Sequence, residues 1–255
     1  MLHRPLVSAV ILAAALLGCS GDSAGPAGTG RLTLQLAGRS SVTGAPTYTA
    51  GADVITITGV QIVARKIQLE RATGTCPASS PAAGPQTGPE AGDDDGHGDK
   101  ECAEVRLDPM LLDPPVDATA KAVVTVALPE GTYKELKIQI HKPTSSSADQ
   151  AFLTAYPGFA DISIKVTGTF NGTAFIFTSA VTAEVEIELP KPVTVAAGTP
   201  TAITVQVDLS KWFAASGAGL LNPIAPTQQL RAQIEQNIRA SFHAFEDRDH
   251  DGRED

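Results

Sequence analysis

Apolar and polar residues alternate with a period of two through much of this chain. RLTLQLAG places Leu32, Leu34 and Leu36 on alternate positions, the repeat of a strand with one buried face. DVITITG and QIVARKIQLER follow; the second alternates less cleanly, which predicts a bulge or a strand covered on both faces. In KAVVTVALPEGTYKELKIQI, Val124, Val126 and Leu128 precede a Pro129-Glu130-Gly131 turn, and Leu136, Ile138 and Ile140 come after it. That pattern predicts a β-hairpin. DISIKVTGTF and TAFIFTSAV flank Asn171-Gly172, residues that tolerate the positive φ of a type I′ turn, and predict a second hairpin. AEVRLD, PMLLDPPV, VEIELPKPVTV and TAITVQVDLSKWF extend the series, while DQAFLTAYPGF reads as one short helix over a sheet end.

The period changes near the C-terminus. In TQQLRAQIEQNIRASFHAFE, Leu230, Ile234, Ile238, Phe242 and Phe245 fall on one helical face, with Thr227 as N-cap. Short strands, regular turn signals, few aromatics and one strong helix predict an all-β sandwich with a C-terminal amphipathic helix docked on it. Trp212-Phe213 would anchor a strand end in the core. Tyr133, just after Gly131, occupies a tyrosine-corner position.

ITITGVQIVARKIQLE, LPEGTYKELKIQI and VTVAAGTPTAITVQVDLSKWF resemble successive blocks of uncharacterised bacterial lipoproteins that share a β-sandwich domain of unknown function. The similarity covers roughly residues 31–213. It implies a sandwich of the immunoglobulin or transthyretin type, exported and lipid-anchored, and it supplies no catalytic residues.

The N-terminus agrees with export. MLHRPLVSAVILAAALLGCS carries Arg4 and then an apolar run from Leu6 to Leu17, too short to span a bilayer but suited to a signal-peptide core. Leu16-Leu17-Gly18-Cys19 resembles the bacterial lipobox, which implies cleavage before Cys19 and lipid on its sulfur. Several acyl chains anchor stably, at about 0.8 kcal/mol per buried CH₂. Ser20 in place of an aspartate favours the outer membrane. The predicted organisation is a signal peptide over residues 1–18, a lipidated Cys19 with a flexible tether to residue 30, and the sandwich over residues 31–213. Residues 214–255 supply a linker, the helix and an acidic tail. Cys76 and Cys102 remain as an even pair and predict one disulfide in an oxidising compartment. Its closed loop corresponds to about 3–4 kcal/mol of chain entropy.

Charge is concentrated. The net charge is −9, yet the excess lies in two short segments, residues 90–104 and 246–255, and the body is balanced. No basic patch offers itself to nucleic acid. The first acidic segment belongs to a Pro/Gly/Ser-rich insert, about residues 72–104, where Asp93, Asp94, Asp95 and Asp99 surround His97; it reads as a solvated surface loop. In the second segment Asp247, Asp249, Asp251 and Gly252 match positions 1, 3, 5 and 6 of an EF-hand loop, and Arg253 and Asp255 continue the set at positions 7 and 9. The bidentate glutamate of position 12 is missing, so the tail reads as a solvated end with a potential for weak Ca²⁺ binding.

Catalytic patterns are weak. Gly21-Asp22-Ser23-Ala24-Gly25 has nucleophile-elbow spacing but lies in the tether. His141 reads as solvent-facing, alongside Lys137 and Gln139. Glu184, Glu186 and Glu188 read as an exposed strand face. The sequence therefore predicts a lipid-anchored envelope protein that serves as a non-enzymatic binding or structural module. Its alternatives are a calcium-dependent adhesion or ligand-binding module and, last, a hydrolase with a site outside known motifs.

Overall fold

Strands dominate the computed structural model, which describes residues 28–39, 44–72, 103–117 and 119–254. The signal segment, Cys19, the tether before residue 28, the acidic insert with Cys76, Cys102 and the His97 cluster, and Asp255 lie outside the described residues. In chain order the elements are β1 (Thr29–Gly38), β2 (Thr47–Ala50), β3 (Asp53–Arg71), β4 (Ala103–Leu112), β5 (Ala120–Pro129) and β6 (Gly131–Ile140). They continue with α1 (Gln150–Ala155), β7 (Ile164–Phe170), β8 (Thr173–Ser179), β9 (Ala183–Val195), β10 (Pro200–Val207), α2 (Gln228–Arg239) and β11 (Phe242–Glu246).

The strands form two sheets, and the expected all-β sandwich is what the chain adopts. The first sheet runs β11-β10-β1-β5, with β1 and β10 parallel and the other pairs antiparallel. The second runs β8-β7-β3-β6-β9, with β2 and β4 also paired to β3. The 19-residue β3, about 60 Å long at strand rise, organises this second sheet. Its residue Ile62 pairs with Leu112 on one side and Ile164 on the other. Its register shifts between Ala64 and Lys66 against both β4 and β6. Val63 then turns away from the main core into a satellite cluster with Phe152 and Phe159. The uneven alternation of QIVARKIQLER thus corresponds to a bulge and to burial on both faces.

The main core lies between the sheets. Leu32, Leu34 and Leu36 of β1 and Ile203, Val205 and Val207 of β10 meet Ile57, Leu136, Ile138, Val185 and Ile187 of the second sheet. Burying each such side chain fully contributes about 1.5–3 kcal/mol. Trp212 is fully buried as expected, and its Nε1 donates to Ser241 Oγ at 2.7 Å. Phe213 packs edge-on against Phe175 and Phe177.

Two elements differ from the sequence pattern. β5 and β6 do not form a hairpin: β5 pairs with β1, and β6 pairs with β3 and β9. Pro129-Glu130-Gly131 carries the chain from one sheet to the other. Tyr133 Oη donates back to the Pro129 carbonyl at 2.7 Å, so the tyrosine corner fastens this crossing. Arg71 Nη2 donates to the Glu130 carbonyl at 2.7 Å, and Glu130 Oε1 accepts from Ala197 N at 2.6 Å. The local turn chemistry is sound, but each strand finds its partner elsewhere.

The C-terminal helix is also shorter than its apolar stripe. Thr227 Oγ1 accepts from Leu230 N at 3.3 Å, as an N-cap should, and Ile234 and Ile238 are buried. The helix stops at Arg239. Ser241, fully buried, donates to the Ile238 carbonyl at 2.6 Å while accepting from Trp212. Phe242–Glu246 then extends as β11 along β10. An edge that offers Ile203–Val207 for pairing outweighs continuation of the helical period.

Candidate functional site

Because β11 runs antiparallel to β10, the acidic tail is returned over the outer face of the first sheet. Leu34 and Leu36 on β1, and Ile203 and Val205 on β10, take the inner face, so Gln35 and Thr204 point outward. The tail covers both. Asp247 is 0% exposed. Its Oδ2 accepts from Thr204 Oγ1 at 2.6 Å and from Gly252 N at 3.0 Å, and its Oδ1 accepts from Asp251 N at 3.0 Å. Asp251 N also reaches Asp249 Oδ1 at 3.2 Å, and Asp251 Oδ1 accepts from Arg253 N at 2.8 Å. His250 touches Gln35 through its Nδ1, and Lys191 pairs with Glu254 at 3.8 Å. Gly252 sits at φ 80°, where the absence of a Cβ removes the steric cost.

The tail is therefore a folded loop with a buried carboxylate at its root: Asp247 and Gly252 are buried, while Arg248, Asp249, His250, Asp251, Arg253 and Glu254 are exposed, as expected of a solvated end. The physical reason for the buried root is the register of β11, which no helical reading could supply. The EF-hand comparison is corrected, because the loop leaves a strand and not a helix. What survives is the carboxylate geometry. One ligand oxygen each from Asp247, Asp249 and Asp251 lies within 4.8 Å of the others. Two oxygens bound to one Ca²⁺ at about 2.4 Å can stand at most about 4.8 Å apart, so this spread suits a shared cation. Arg253 shares the loop, while Asp255 lies outside the described residues.

His141 departs furthest from expectation. It is 8% exposed, and its Nε2 lies 2.7 Å from Asp149 Oδ1. Asp149, 1% exposed, also accepts from Thr144 N at 2.7 Å, Thr144 Oγ1 at 3.3 Å and Ser146 Oγ at 3.1 Å. Burial works to raise the Asp149 carboxyl, but the Thr144 amide, His141 and Ser146 outweigh it and hold it below the usual aspartate range. His141 lies one residue beyond β6, where strand alternation no longer predicts direction. The pair fastens the segment from residue 142 to 162, whose Phe152 and Phe159 cover Val63. An Asp eight residues after a His carries no periodic signal, so the sequence did not mark it.

The remaining candidates divide simply. Glu184, Glu186 and Glu188 are exposed, between buried Val185 and Ile187, as expected. They flank a denser cluster that the sequence reading missed. Glu135 pairs in register with Glu70 on one side and Glu188 on the other. Burial raises the Glu135 carboxyl; Lys137 opposes this, and Glu70 and Glu186 push it further up. His243 lies exposed on β11, with its imidazole pushed down by burial and by Lys211 and Arg39. Asn171 and Gly172 adopt φ 49° and 79° at the β7–β8 turn, consistent with the expected hairpin.

No family model matches the chain, and neither curated proteins nor solved structures give a match.

Proposed function

We propose that this chain is an envelope lipoprotein, held through lipid on Cys19 and probing its surroundings with a non-enzymatic β-sandwich that binds a partner or serves envelope structure. The observation that carries the reading is the N-terminal segment, an Arg-led apolar run ending in Leu16-Leu17-Gly18-Cys19. The resemblance of three blocks to bacterial lipoproteins supports it, as does the neutral body of the sandwich. Ser20 favours the outer membrane. In a bacterial host, radiolabelled palmitate is incorporated into the wild-type chain and not into Cys19→Ala, and the labelled protein fractionates with the envelope. A soluble, unlabelled wild-type chain overturns this reading. Crosslinking in intact cells then identifies the partner.

A second reading, a calcium-dependent module, is favoured by one observation: the three carboxylates of the tail meet within a cation's reach. Asp247 would be the buried ligand, with Asp249, Asp251 and the Arg253 carbonyl completing the protein's share and water the rest. Binding would stiffen the loop that covers Gln35 and Thr204. Calorimetry at millimolar Ca²⁺ checks it, with no heat of binding as the refuting result.

A further inference from the structure

Strand edges are the places where a sheet offers unpaired backbone donors and acceptors, and proteins blunt them with charge, proline or brevity. Among the described residues most edges here are blunted. β9 carries Pro190 and Pro192 among Glu and Lys residues, β5 carries Lys121 and ends at Pro129, β4 carries Pro109, and β2 and β11 have four and five residues. β8 is the exception. It is the outermost strand of its sheet, seven residues long, with no charge, no proline and an unshifted register against β7.

The direction of its backbone groups follows from two hydrogen bonds. The Ser179 carbonyl accepts from Ser163 N at 2.8 Å, on the side of β7. The Thr178 carbonyl instead accepts from Arg231 Nη1 of α2, on the open side. Backbone groups alternate between the two sides of a strand, so Ile176 and Ala174 also aim their N–H and C=O at the open edge. The side chain of Ile176 is 69% exposed, more than any other large apolar side chain described.

The strand reads Thr173-Ala174-Phe175-Ile176-Phe177-Thr178-Ser179, nearly the same in both directions about Ile176. We propose that β8 pairs antiparallel with β8 of a second copy of this chain, across a two-fold axis at Ile176. In that register Ile176 faces Ile176, Phe175 faces Phe177, Ala174 faces Thr178 and Thr173 faces Ser179. Ile meets Ile and Phe meets Phe, the outer positions oppose small residues, and no charge opposes another. The pairing joins the two second sheets into one continuous sheet, with about six new backbone hydrogen bonds from the alternate residues. The Thr178 carbonyl has a second lone pair and accepts the Ala174 amide of the other copy without displacing Arg231. The contact is isologous, so it closes at two copies and does not propagate.

One strand pair is smaller than a standard interface, so the association is weak, and concentrations from about 10 μM to 1 mM are the range to search. Sedimentation of the purified full chain over that range tests it. The wild type shifts from monomer to dimer. Ile176→Lys and Ile176→Glu, each placing like charges face to face, raise the dissociation constant about tenfold or more. Both keep the wild-type melting temperature at low concentration, since the site is exposed. An equimolar mixture of the two variants, which opposes Lys to Glu, dimerises again. A wild type that stays monomeric throughout, an Ile176→Lys that associates unchanged, or a mixture that stays monomeric overturns the proposal.

Discussion

Replacing Asp149 with alanine tests whether the His141 pair fastens the segment between β6 and β7. The carboxylate collects four donors: His141 Nε2, Thr144 N, Thr144 Oγ1 and Ser146 Oγ. Ser146 lies on an exposed turn and recovers its partner from water. Thr144 is likewise exposed, whereas His141 is buried, at 8% exposure. A buried donor stranded in this way costs about 1–3 kcal/mol, so the expected loss is about 1–3 kcal/mol. Asp149→Asn keeps the shape and one acceptor oxygen and loses about half as much. Urea unfolding at pH 7 reads the magnitude, and hydrogen exchange in α1 reads the locality, because Phe152 and Phe159 lift together with the segment. The pH dependence has a definite sign. A carboxyl depressed on folding stabilises above its unfolded value, near pH 4, and that stability is lost as the pH falls through the lower folded value. The gap between wild type and Asp149→Asn therefore narrows below about pH 4. An alanine variant within about 0.5 kcal/mol of wild type, an ordinary surface effect, refutes the argument.

Three further outcomes are expected. Tyr133→Phe removes only the hydroxyl that donates to Pro129 O, and thermal denaturation should show a loss of about 1–2 kcal/mol with the fold retained. Glu135→Gln should stabilise the protein at pH 7 and have little effect at pH 4; the wild-type carboxyl is raised by burial and by Glu70 and Glu186, so its ionisation weakens the fold as pH rises above the ordinary glutamate value, and melting temperatures at the two pH values check it. If the tail holds Ca²⁺, EDTA lowers the wild-type melting temperature and excess Ca²⁺ restores it, by about 2.7 kcal/mol at a hundredfold excess over the dissociation constant. Asp247→Asn should abolish that response, whereas Thr204→Val, which leaves all three carboxylates, should retain it.

Much of the fold was legible because one-sided burial writes a period of two into the strands. β1, β7, β8 and the Asn171-Gly172 turn follow that rule. β5 and β6 show its limit: alternation marks which residues face the core but carries no information on which strand will be the neighbour. Phe242 and Phe245 show another. Their spacing from Ile238 fits a helix, yet Ser241 is spent on Trp212 and the Ile238 carbonyl, and the open edge of β10 takes the rest. The Asp247 loop was legible as chemistry and not as structure, since its burial depends on Thr204, far away in sequence. His141 was illegible because its partner lies past the strand in an irregular segment.

The parallel contact between β1 and β10 carries a consequence in time. Arg31 meets Pro200 and Gly38 meets Val207, so the first strand of the sandwich has a central neighbour that emerges nearly 170 positions later. β11, which closes the other side of β10, comes later still. The first sheet cannot be completed until β10 and β11 are present, and contacts of such high sequence separation form slowly. Were the chain exported as proposed above, that delay would keep the first sheet open until β10 and β11 had arrived.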